Sequence, residues 1–408
     1  MAAEISTIKL APTFGSYYYE DVSALQDKAV SEDERWFSPG RTGGFKRLRD
    51  LAETISIGLG QGRQIFWGDC VGVSYAGKSG RKNLFRHDSG LKSLNEAVLP
   101  WLTGKTINSL RQFSDDWDQF TAGLKEPLHP AIGYGVSQAV LSLLAPEGDF
   151  FRVIAREWNL PLEGLTKVPL QGSCGNDRYA AVDKMISRKI AAFPQSQVDD
   201  VAKQVGPDGV TLLEYARWLN QRIAKFGHQG YEPVISLDVH GALGKVFGGS
   251  VEKVADFLTA MEHELWPHEF RIESAILADS VDAQIELYSQ LKSILLQRGS
   301  KILLAADEWA NTRQDIMKFS DARCVDLIHV KAPDLGSIAH IVDAVLHVKS
   351  RGIQVLLGGS CVETDLSTKA TVHVAMATRP DFLLVKPGMG FDEGFSLCHN
   401  EMARILSL

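Results

Sequence analysis

The pattern of apolar and polar positions along the chain changes at about residue 160. Beyond that point, short apolar runs alternate with longer amphipathic segments, as parallel strands alternate with the helices that connect them. A closed (β/α)8 barrel needs eight such units of roughly 30 residues each. We therefore predict a barrel domain over residues 161–408, with strands at 166–170, 190–196, 233–238, 268–273, 302–307, 326–331, 353–357 and 382–386.

Residues 1–160 follow a different pattern. Short alternating runs predict strands, and helical periodicity begins at Leu91 and continues to about Trp158. An α+β domain ahead of a barrel agrees with the length of 408 residues, which is too long for one small core. The predicted strands of this first domain are 5–10, 16–19, 54–59 and 64–68.

Two glycine-rich segments lie in the first domain. Gly58–Gly62 fits a hairpin turn better than a dinucleotide-binding loop, because it does not match G-x-G-x-x-G and no helical pattern follows it. The basic segment 74–90 has two interpretations. It is either a mobile surface loop or a lid that closes over an anionic substrate, with glycines as its hinges.

Charge and composition argue against several classes of protein. A net charge of −7 without a basic stripe makes nucleic acid an unexpected partner. No stretch approaches the roughly 20 apolar residues of a membrane span, so we expect no membrane partner either. The N-terminus lacks a signal-peptide pattern. The five cysteines are scattered without a C-x-x-C, which predicts a cytoplasmic protein without disulfides or structural zinc.

Ionisable residues end four consecutive predicted barrel strands: Asp238, Glu273, Asp307 and Lys331. Barrel enzymes carry their chemistry at these strand ends, so the four side chains should converge. A single carboxylate there can be an ion-pair partner or a helix cap, but three together each bear a desolvation cost unless a cation or another partner offsets it. An all-oxygen set suits Mg²⁺. Unless it is a surface lysine, Lys331 becomes a candidate general base, because burial beside a divalent cation lowers its pKa.

Further polar residues lie near the same strand ends. His329 lies two residues before the strand-end lysine, so strand alternation places both on one face, although a packed core histidine is the alternative. His240 is similarly placed and is interpreted as a supporting group. Gly358–Cys361 can let backbone approach a ligand and bind an anion, or can be a plain tight turn. Lys386–Gly390 is predicted to form another wall of the site.

Eight motifs spread along the chain carry a family resemblance. They are Trp-Gly-Asp69-Cys, Gly175-Asn-Asp177-Arg-Tyr with Val-Asp-Lys-Met, Leu-Asp238-Val-His-Gly, Arg-Ile-Glu273, Ala-Asp307-Glu-Trp-Ala-Asn-Thr, Lys331-Ala-Pro-Asp-Leu-Gly, Gly-Gly-Ser360-Cys361-x-Glu-Thr and Lys386-Pro-Gly-Met-Gly-Phe-Asp-Glu-Gly. Together these motifs are specific. The chain resembles the methylaspartate ammonia-lyase family, a branch of the enolase superfamily, over nearly its whole length.

The resemblance implies a fold and a reaction. The fold is an enolase-like (β/α)8 barrel with an α+β N-terminal capping domain, usually in a homodimer. The resemblance also implies one Mg²⁺ held by Asp238, Glu273 and Asp307. Lys331 would remove the proton alpha to a metal-bound carboxylate, and the amino group would leave from the neighbouring carbon.

Five positions depart from the family pattern, and the metal and base positions do not. The family's second-strand histidine, which works on the face opposite the lysine, is replaced by Gln195. Three glutamines that contact the substrate in the family are replaced here by Ser74, Ser173 and His329, and a family threonine is replaced by Ser360. Losing amide hydrogen bonds leaves polar partners unpaired. The departures therefore imply that proton abstraction is retained and leave the substrate open: it is 3-methylaspartate, or one that is larger or different.

We predict a Mg²⁺-dependent carbon–nitrogen lyase that eliminates ammonia from 3-methylaspartate or a related amino dicarboxylate. The predicted catalytic residues are Lys331 and His329, and the predicted substrate contacts are Ser173, Gln195, His329, Ser360 and Cys361. One alternative is a dehydratase, lyase or epimerase of the same superfamily acting on a different carboxylate. Another, from a different class, is a non-catalytic binding protein on this scaffold.

Overall fold

The computed structural model describes residues 3–27, 31–175, 177–196 and 198–408. The N-terminal part of the chain contains an antiparallel sheet in the order β2-β3-β4. A second, two-stranded antiparallel pair joins β1 to β5. These strands are β1 Ala3–Glu4, β2 Thr7–Glu20, β3 Arg49–Gln61, β4 Gln64–Cys70 and β5 Thr106–Ile107.

Strand β2 corrects one sequence prediction. The predicted strands 5–10 and 16–19 belong to a single long strand, because a register shift between Phe14 and Tyr18 absorbs the irregular residues between them. The predicted hairpin at Gly58–Gly62 is confirmed, with its turn at Gly62 and Arg63. Gly62 has a φ of +61°, a conformation that glycine adopts without strain.

Six helices accompany this sheet. Helix α5 packs on β4, and most of its residues are buried. Gly68 of β4 and Gly135 of α5 allow the strand and the helix to come close, because a side chain at either position would overlap the other element's backbone. The helices are α1 Val22–Asp27, α2 His87–Ser93, α3 Leu99–Leu102, α4 Leu110–Ala122, α5 Pro130–Leu144 and α6 Phe150–Trp158.

Eight parallel strands then form a closed barrel in the order β10-β11-β12-β13-β6-β7-β8-β9. Each predicted strand overlaps one of them, so the predicted barrel is confirmed. The first strand is displaced toward Gln171 from the predicted 166–170, since Pro169 has no N–H to donate to a neighbour. The strands are β6 Leu170–Gln171, β7 Ala192–Ser196, β8 Val234–Asp238, β9 Phe270–Glu273, β10 Leu303–Ala306, β11 Leu327–Lys331, β12 Gln354–Gly358 and β13 Phe382–Leu384.

Helices surround the barrel and cover its strands with apolar side chains. In the described part of the chain, every helix is too short or too polar to cross a membrane. The helices of this part are α7 Ala180–Ser187, α8 Val201–Gln204, α9 Val210–Phe226, α10 Ala242–Val246, α11 Val251–Leu265, α12 Val281–Gln297, α13 Arg313–Ala322, α14 Ala332–Leu335, α15 Ile338–Ser350, α16 Asp365–Thr378 and α17 Phe391–Ile405.

The N-terminal sheet is fastened to the barrel by buried polar contacts. Thr364, the N-cap of α16, donates its hydroxyl hydrogen to Asp69 at 2.6 Å. The Tyr134 hydroxyl lies 3.0 Å from Thr371 Oγ1 and donates to Glu363 at 3.2 Å. These contacts place the end of β4, and the loop that follows it, over the C-terminal ends of the barrel strands.

The close approach of β4 and α5 yields a stability prediction. In Gly68→Ala, the new methyl group would overlap the carbonyl oxygen of Gly135 and lie 2.5 Å from the backbone nitrogen of Ala139. We expect the free energy of unfolding to fall by about 1–3 kcal/mol, as for other overpacked cores. Urea denaturation measures the change. Gly43→Ala is the matched control, because a methyl group there meets no atom within 4 Å. Equal midpoints for the two variants would contradict the prediction.

Candidate active site

The four predicted strand-end residues meet at the mouth of the barrel. Asp238 and Glu273 are the last residues of β8 and β9 and pair in register. Asp307 follows β10 directly, and Lys331 ends β11. All four side chains are buried. The convergence expected from strand spacing is therefore present.

A cleft at this mouth contains the predicted substrate contacts. Glu273 and Asp307 lie behind it, in contact with His329 and Lys331. The cleft is lined by Val73, Ser74, Tyr75, Ser173, Gln195, Asp238, His240, His329, Lys331, Gly359, Ser360, Cys361, Leu384 and Lys386.

The carboxylates form two neighbouring groups. Glu273 and Asp307 group with His329, whereas Asp238 groups with His240 and Glu308. The ligand atoms within each group lie within 4.8 Å of one another. The predicted metal triad is thus divided between two clusters, and Glu308 is an acidic member that the sequence analysis did not single out.

Crowding of negative charge is the main electrostatic feature of the site. Burial, followed by the charges of Glu273, Glu308 and Asp307, raises the pKa of Asp238 well above its usual range. Like charges buried together oppose ionisation unless a cation joins them. Carboxylate oxygens are the ligands that Mg²⁺ prefers, so the donor set fits that ion.

Glu308 is stabilised in its charged form. Its carboxylate lies 3.1 Å from His240 Nδ1 and accepts a hydrogen bond from Ser274 Oγ. Burial raises its pKa, but the hydrogen bond and charge of His240 and the charges of Arg81 and Lys331 outweigh burial and hold the pKa well below its usual range. The interpretation of His240 as a supporting group agrees with this contact.

Lys331 donates to Asp307 Oδ2 at 2.6 Å. Burial and the Arg81 charge lower the pKa of Lys331, but Asp307, Glu308 and Asp334 outweigh them, so its pKa is raised. This direction holds for the carboxylates alone, whereas the fall predicted from the sequence depends on an adjacent divalent cation. The reason is that the surrounding carboxylates stabilise the ammonium more than burial destabilises it.

Gln195 and His329, two of the departures from the family pattern, both contact Glu273. Gln195 Nε2 donates to Glu273 Oε2 at 2.8 Å, and His329 Nδ1 lies 3.0 Å from Oε1. Gln195 is itself oriented by Gln171, which donates to its amide oxygen at 2.6 Å. These hydrogen bonds fix the orientation of the Glu273 carboxylate from both sides.

The ring of His329 reaches the cleft with one nitrogen free. His329 Nε2 is buried and has no hydrogen-bond partner among the described residues. The ring fits only because position 358 is glycine, since a β-carbon at Gly358 would overlap Nε2. His329 thus lines the cleft with its ring, while Nε2 is packed against Gly358.

Residues 74–82, here named the capping loop, close the cleft from the N-terminal side. The Ser74 N–H donates to Ser360 Oγ at 2.8 Å, and Asn311 donates to the Ser79 carbonyl at 2.6 Å. Arg81 donates to Asp307 at 2.9 Å and to Asp334 at 2.8 Å. Of the two interpretations of segment 74–90, these contacts favour a lid packed on the barrel.

Arg81 and Glu308 are the site residues that sequence reasoning missed. Arg81 lay within a segment recognised only as glycine-rich and basic, and Glu308 was hidden beside Asp307. The sequence signal that could have revealed them is the adjacent pair Asp307-Glu308 after an apolar strand. Two buried acids side by side require cationic partners from elsewhere in the chain.

A buried carboxyl also supports the turn after β12. Glu363 Oε1 accepts a hydrogen bond from the backbone N–H of Ser360 at 3.2 Å, and Tyr134 donates to its other oxygen. Burial raises the pKa of Glu363 to about 7. The predicted turn Gly358–Cys361 is thus shaped by a protonatable group behind it.

Comparison with protein families identifies matches over almost the whole chain. Residues 3–159 match the family described as the methylaspartate ammonia-lyase N-terminus, and residues 164–408 match its C-terminus. Methylaspartate ammonia-lyase 1 of Carboxydothermus hydrogenoformans is 39% identical over 96% of this chain and 94% of that protein. The enzyme of Clostridium tetanomorphum is 32% identical over 99% of this chain and 98% of its own length.

Solved structures show the same relationship. The Citrobacter amalonaticus methylaspartate ammonia lyase containing (2S,3S)-3-methylaspartic acid matches with a TM-score of 0.90 and 33% identity, over 99% of each chain. The magnesium complex of β-methylaspartase from Clostridium tetanomorphum matches with a TM-score of 0.88 and 32% identity, over 99% of this chain and 98% of that one. Muconate cycloisomerase from Pseudomonas fluorescens, at 14% identity and a TM-score of 0.61 over 92% of this chain and 84% of that one, shares the fold.

The buried position of Arg81 yields a prediction. Arg81→Met leaves Asp307 and Asp334 without their guanidinium partner, so we expect the free energy of unfolding to fall by about 3–5 kcal/mol. The matched control is Arg217→Met, which removes an exposed pair with Glu264 and should change the free energy of unfolding far less. Urea denaturation of both variants measures the two changes. If Arg81→Met lowers the free energy of unfolding no more than the control does, the ion pairs of Arg81 do not stabilise the fold.

Glu363 predicts a pH dependence of stability. A carboxyl pKa raised from 4.5 to about 7 by folding means that stability is fully present below pH 4.5 and is lost as the pH rises through 7. Glu363→Gln cannot lose this proton. We expect its stability relative to the unsubstituted protein to increase between pH 5 and pH 8 by on the order of 2 kcal/mol. Urea denaturation at both pH values measures the difference, and a constant difference would refute the assignment.

Proposed function

The chain belongs to the methylaspartate ammonia-lyase family, a family of carbon–nitrogen lyases, and from that premise we propose that it eliminates ammonia from 3-methylaspartate or a related amino dicarboxylate with the help of Mg²⁺. The observation that carries the proposal is the convergence of Asp238, Glu273, Asp307 and Lys331 at one barrel mouth. Carboxylates that hold a cation, together with an adjacent lysine, are the groups that proton abstraction next to a carboxylate requires.

Asp238, Glu273 and Asp307 are the proposed Mg²⁺ ligands. Their fit to a cation rests on the grouping of buried carboxylate oxygens at the barrel mouth, and burial followed by the neighbouring carboxylate charges raises the pKa of Asp238. When bound, Mg²⁺ supplies a positive charge that stabilises negative charge developing on a substrate carboxylate. Gln195 and His329 serve this set by orienting Glu273.

Lys331 is the proposed base. Its ammonium must lose a proton before it can accept one from the substrate carbon. Burial and Arg81 both favour the free amine, and Asp307 is the first of the carboxylates that oppose them. A cation held by Asp307 would reduce the opposition of that carboxylate and so favour the basic form of Lys331. After proton transfer to Lys331 Nζ, the amino group leaves from the neighbouring carbon.

Gln195 limits where proton transfer occurs. An amide neither gains nor loses a proton near neutral pH, so Gln195 cannot replace a histidine as an acid or base. Its oxygen accepts from Gln171 and Ser236, and its nitrogen donates to Glu273. We propose that abstraction takes place only on the face of Lys331, with Ser173, Ser360 and Cys361 as further substrate contacts.

A second function has one observation in its favour. His329 lines the cleft, on the same strand as Lys331 and two residues before it, and its buried Nε2 has no hydrogen-bond partner among the described residues. A titratable histidine beside a lysine base also suits an epimerase, a dehydratase or another lyase acting on a different carboxylate. In that case Lys331 would still abstract the proton, and His329 would return a proton or protonate a leaving group.

We further propose a cytoplasmic location and a homodimeric assembly. The location is supported by five unpaired, buried cysteines, which suit a reducing compartment. The assembly is an expectation from the family resemblance, and sedimentation of the purified protein measures it.

Ammonia release tests the function. With saturating Mg²⁺ and 3-methylaspartate, the protein should release ammonia, and Lys331→Ala should lower kcat at least 10²-fold, because general bases contribute on that scale. Exchange of the substrate's acidic C–H with deuterium oxide should disappear in the same variant. Chelation of divalent cations should abolish both activities reversibly.

The matched control is Lys349→Ala, whose ammonium donates to backbone carbonyls of Thr378 and Arg379 away from the cleft. It should retain ammonia release and exchange. Absence of ammonia release by the unsubstituted protein would eliminate the lyase. Exchange without ammonia release would favour the second function, and exchange that survives Lys331→Ala would remove Lys331 as the base.

A further inference from the structure

A second ammonium group, that of Lys386, lines the same cleft as Lys331. Lys386 follows β13 and is only 9% exposed. Its Nζ lies 3.1 Å from Cys361 Sγ, and this is the one side-chain hydrogen bond that Lys386 makes with the described residues. Lys331, by contrast, lies 2.6 Å from a carboxylate.

A thiol is a poor partner for a buried ammonium. Cysteine sulfur is a weak hydrogen-bond acceptor, whereas a desolvated cation needs an opposite charge or strong acceptors. Lys386 has no ion pair within 4.0 Å among the residues that the structure describes. The nearby acid, Glu363, is instead engaged by the Ser360 N–H and the Tyr134 hydroxyl, and its raised pKa of about 7 weakens it as a permanent counter-ion.

The barrel topology places Lys386 across the cleft from the carboxylates. In the closed order, β13 is separated from β9 by three strands in either direction, so the two lie on opposite sides of the ring. Glu273 ends β9, and Lys386 follows β13. A ligand that reaches from the carboxylate cluster to the far wall therefore meets the Lys386 ammonium there.

Small and polar groups border Lys386 and leave access to it. Gly359, Ser360 and Cys361 line the same wall, and a β-carbon at Gly359 would overlap the Glu363 carboxyl oxygen. The wall thus offers one positive charge, one hydroxyl and close backbone to an incoming group. This combination suits a carboxylate.

We infer that Lys386 binds the second carboxylate of the substrate, the one that faces away from Asp238, Glu273 and Asp307, and so restricts this site to dicarboxylates. The inference rests on the proposed function, in which the first carboxylate of the substrate meets the cation held by Asp238, Glu273 and Asp307. It adds a specificity-determining residue that the motif after β13 did not by itself reveal.

Two matched ligands test this role without any turnover. Succinate carries two carboxylates, and succinamate has the same skeleton with one carboxylate replaced by an amide. Calorimetric titration at saturating Mg²⁺ should show succinate binding at least tenfold more tightly than succinamate. A charge-assisted hydrogen bond from a buried ammonium is strong enough for such a difference.

Lys386→Met should lower the ratio of succinate to succinamate affinity at least tenfold. The fall should come from weaker succinate binding, while succinamate affinity changes less than threefold. Lys386→Arg keeps the charge and should keep part of the preference. Lys349→Met is the control, since that lysine contacts backbone carbonyls outside the cleft, and it should preserve both affinities.

A preference below twofold in the unsubstituted protein would overturn the inference, and this result needs no variant to fold. An unchanged preference in folded Lys386→Met would overturn it as well. Failure of the proposed function is distinguishable, because ammonia release is measured separately. A protein that prefers succinate through Lys386 but releases no ammonia refutes the lyase and leaves the subsite standing.

Discussion

Four carboxylates, those of Asp238, Glu273, Asp307 and Glu308, are buried together at the barrel mouth, and the surrounding structure depends on how their charge is balanced. Each would be costly to bury alone. Lys331 and Arg81 lie against one side of the group, and His240 against another. Burial, followed by the neighbouring carboxylate charges, raises the pKa of Asp238, and this donor set fits a divalent cation.

The balance of charge joins the two parts of the chain into one site. The barrel supplies the carboxylates and Lys331, while Arg81 comes from the capping loop of the N-terminal part. The same loop contributes Ser74 and Tyr75 to the cleft wall. The same loop therefore covers the cleft and balances the charge of Asp307, and neither part of the chain provides a complete site alone.

The strand ends were predictable from the sequence because a parallel barrel strand reads as an apolar run of fixed spacing. The candidate site residues Asp238 and Lys331 owe their positions at strand ends to that regularity. The partners of Glu273 were not predictable, since Gln195 and His329 reach it from β7 and β11, and sequence spacing does not record side-chain direction. Arg81 was missed for the same reason: irregular loops carry no period from which a contact can be read.

Gly358 and His329 depend on each other sterically. Because any β-carbon there would overlap His329 Nε2, a histidine at position 329 is compatible only with glycine at position 358. The two positions lie on the neighbouring strands β11 and β12, where Gly358 pairs with Lys331 and His329 pairs with Leu356. A side chain at position 358 would require the ring of His329 to move or to be replaced. The shape of the cleft wall on this side thus depends on the two residues together.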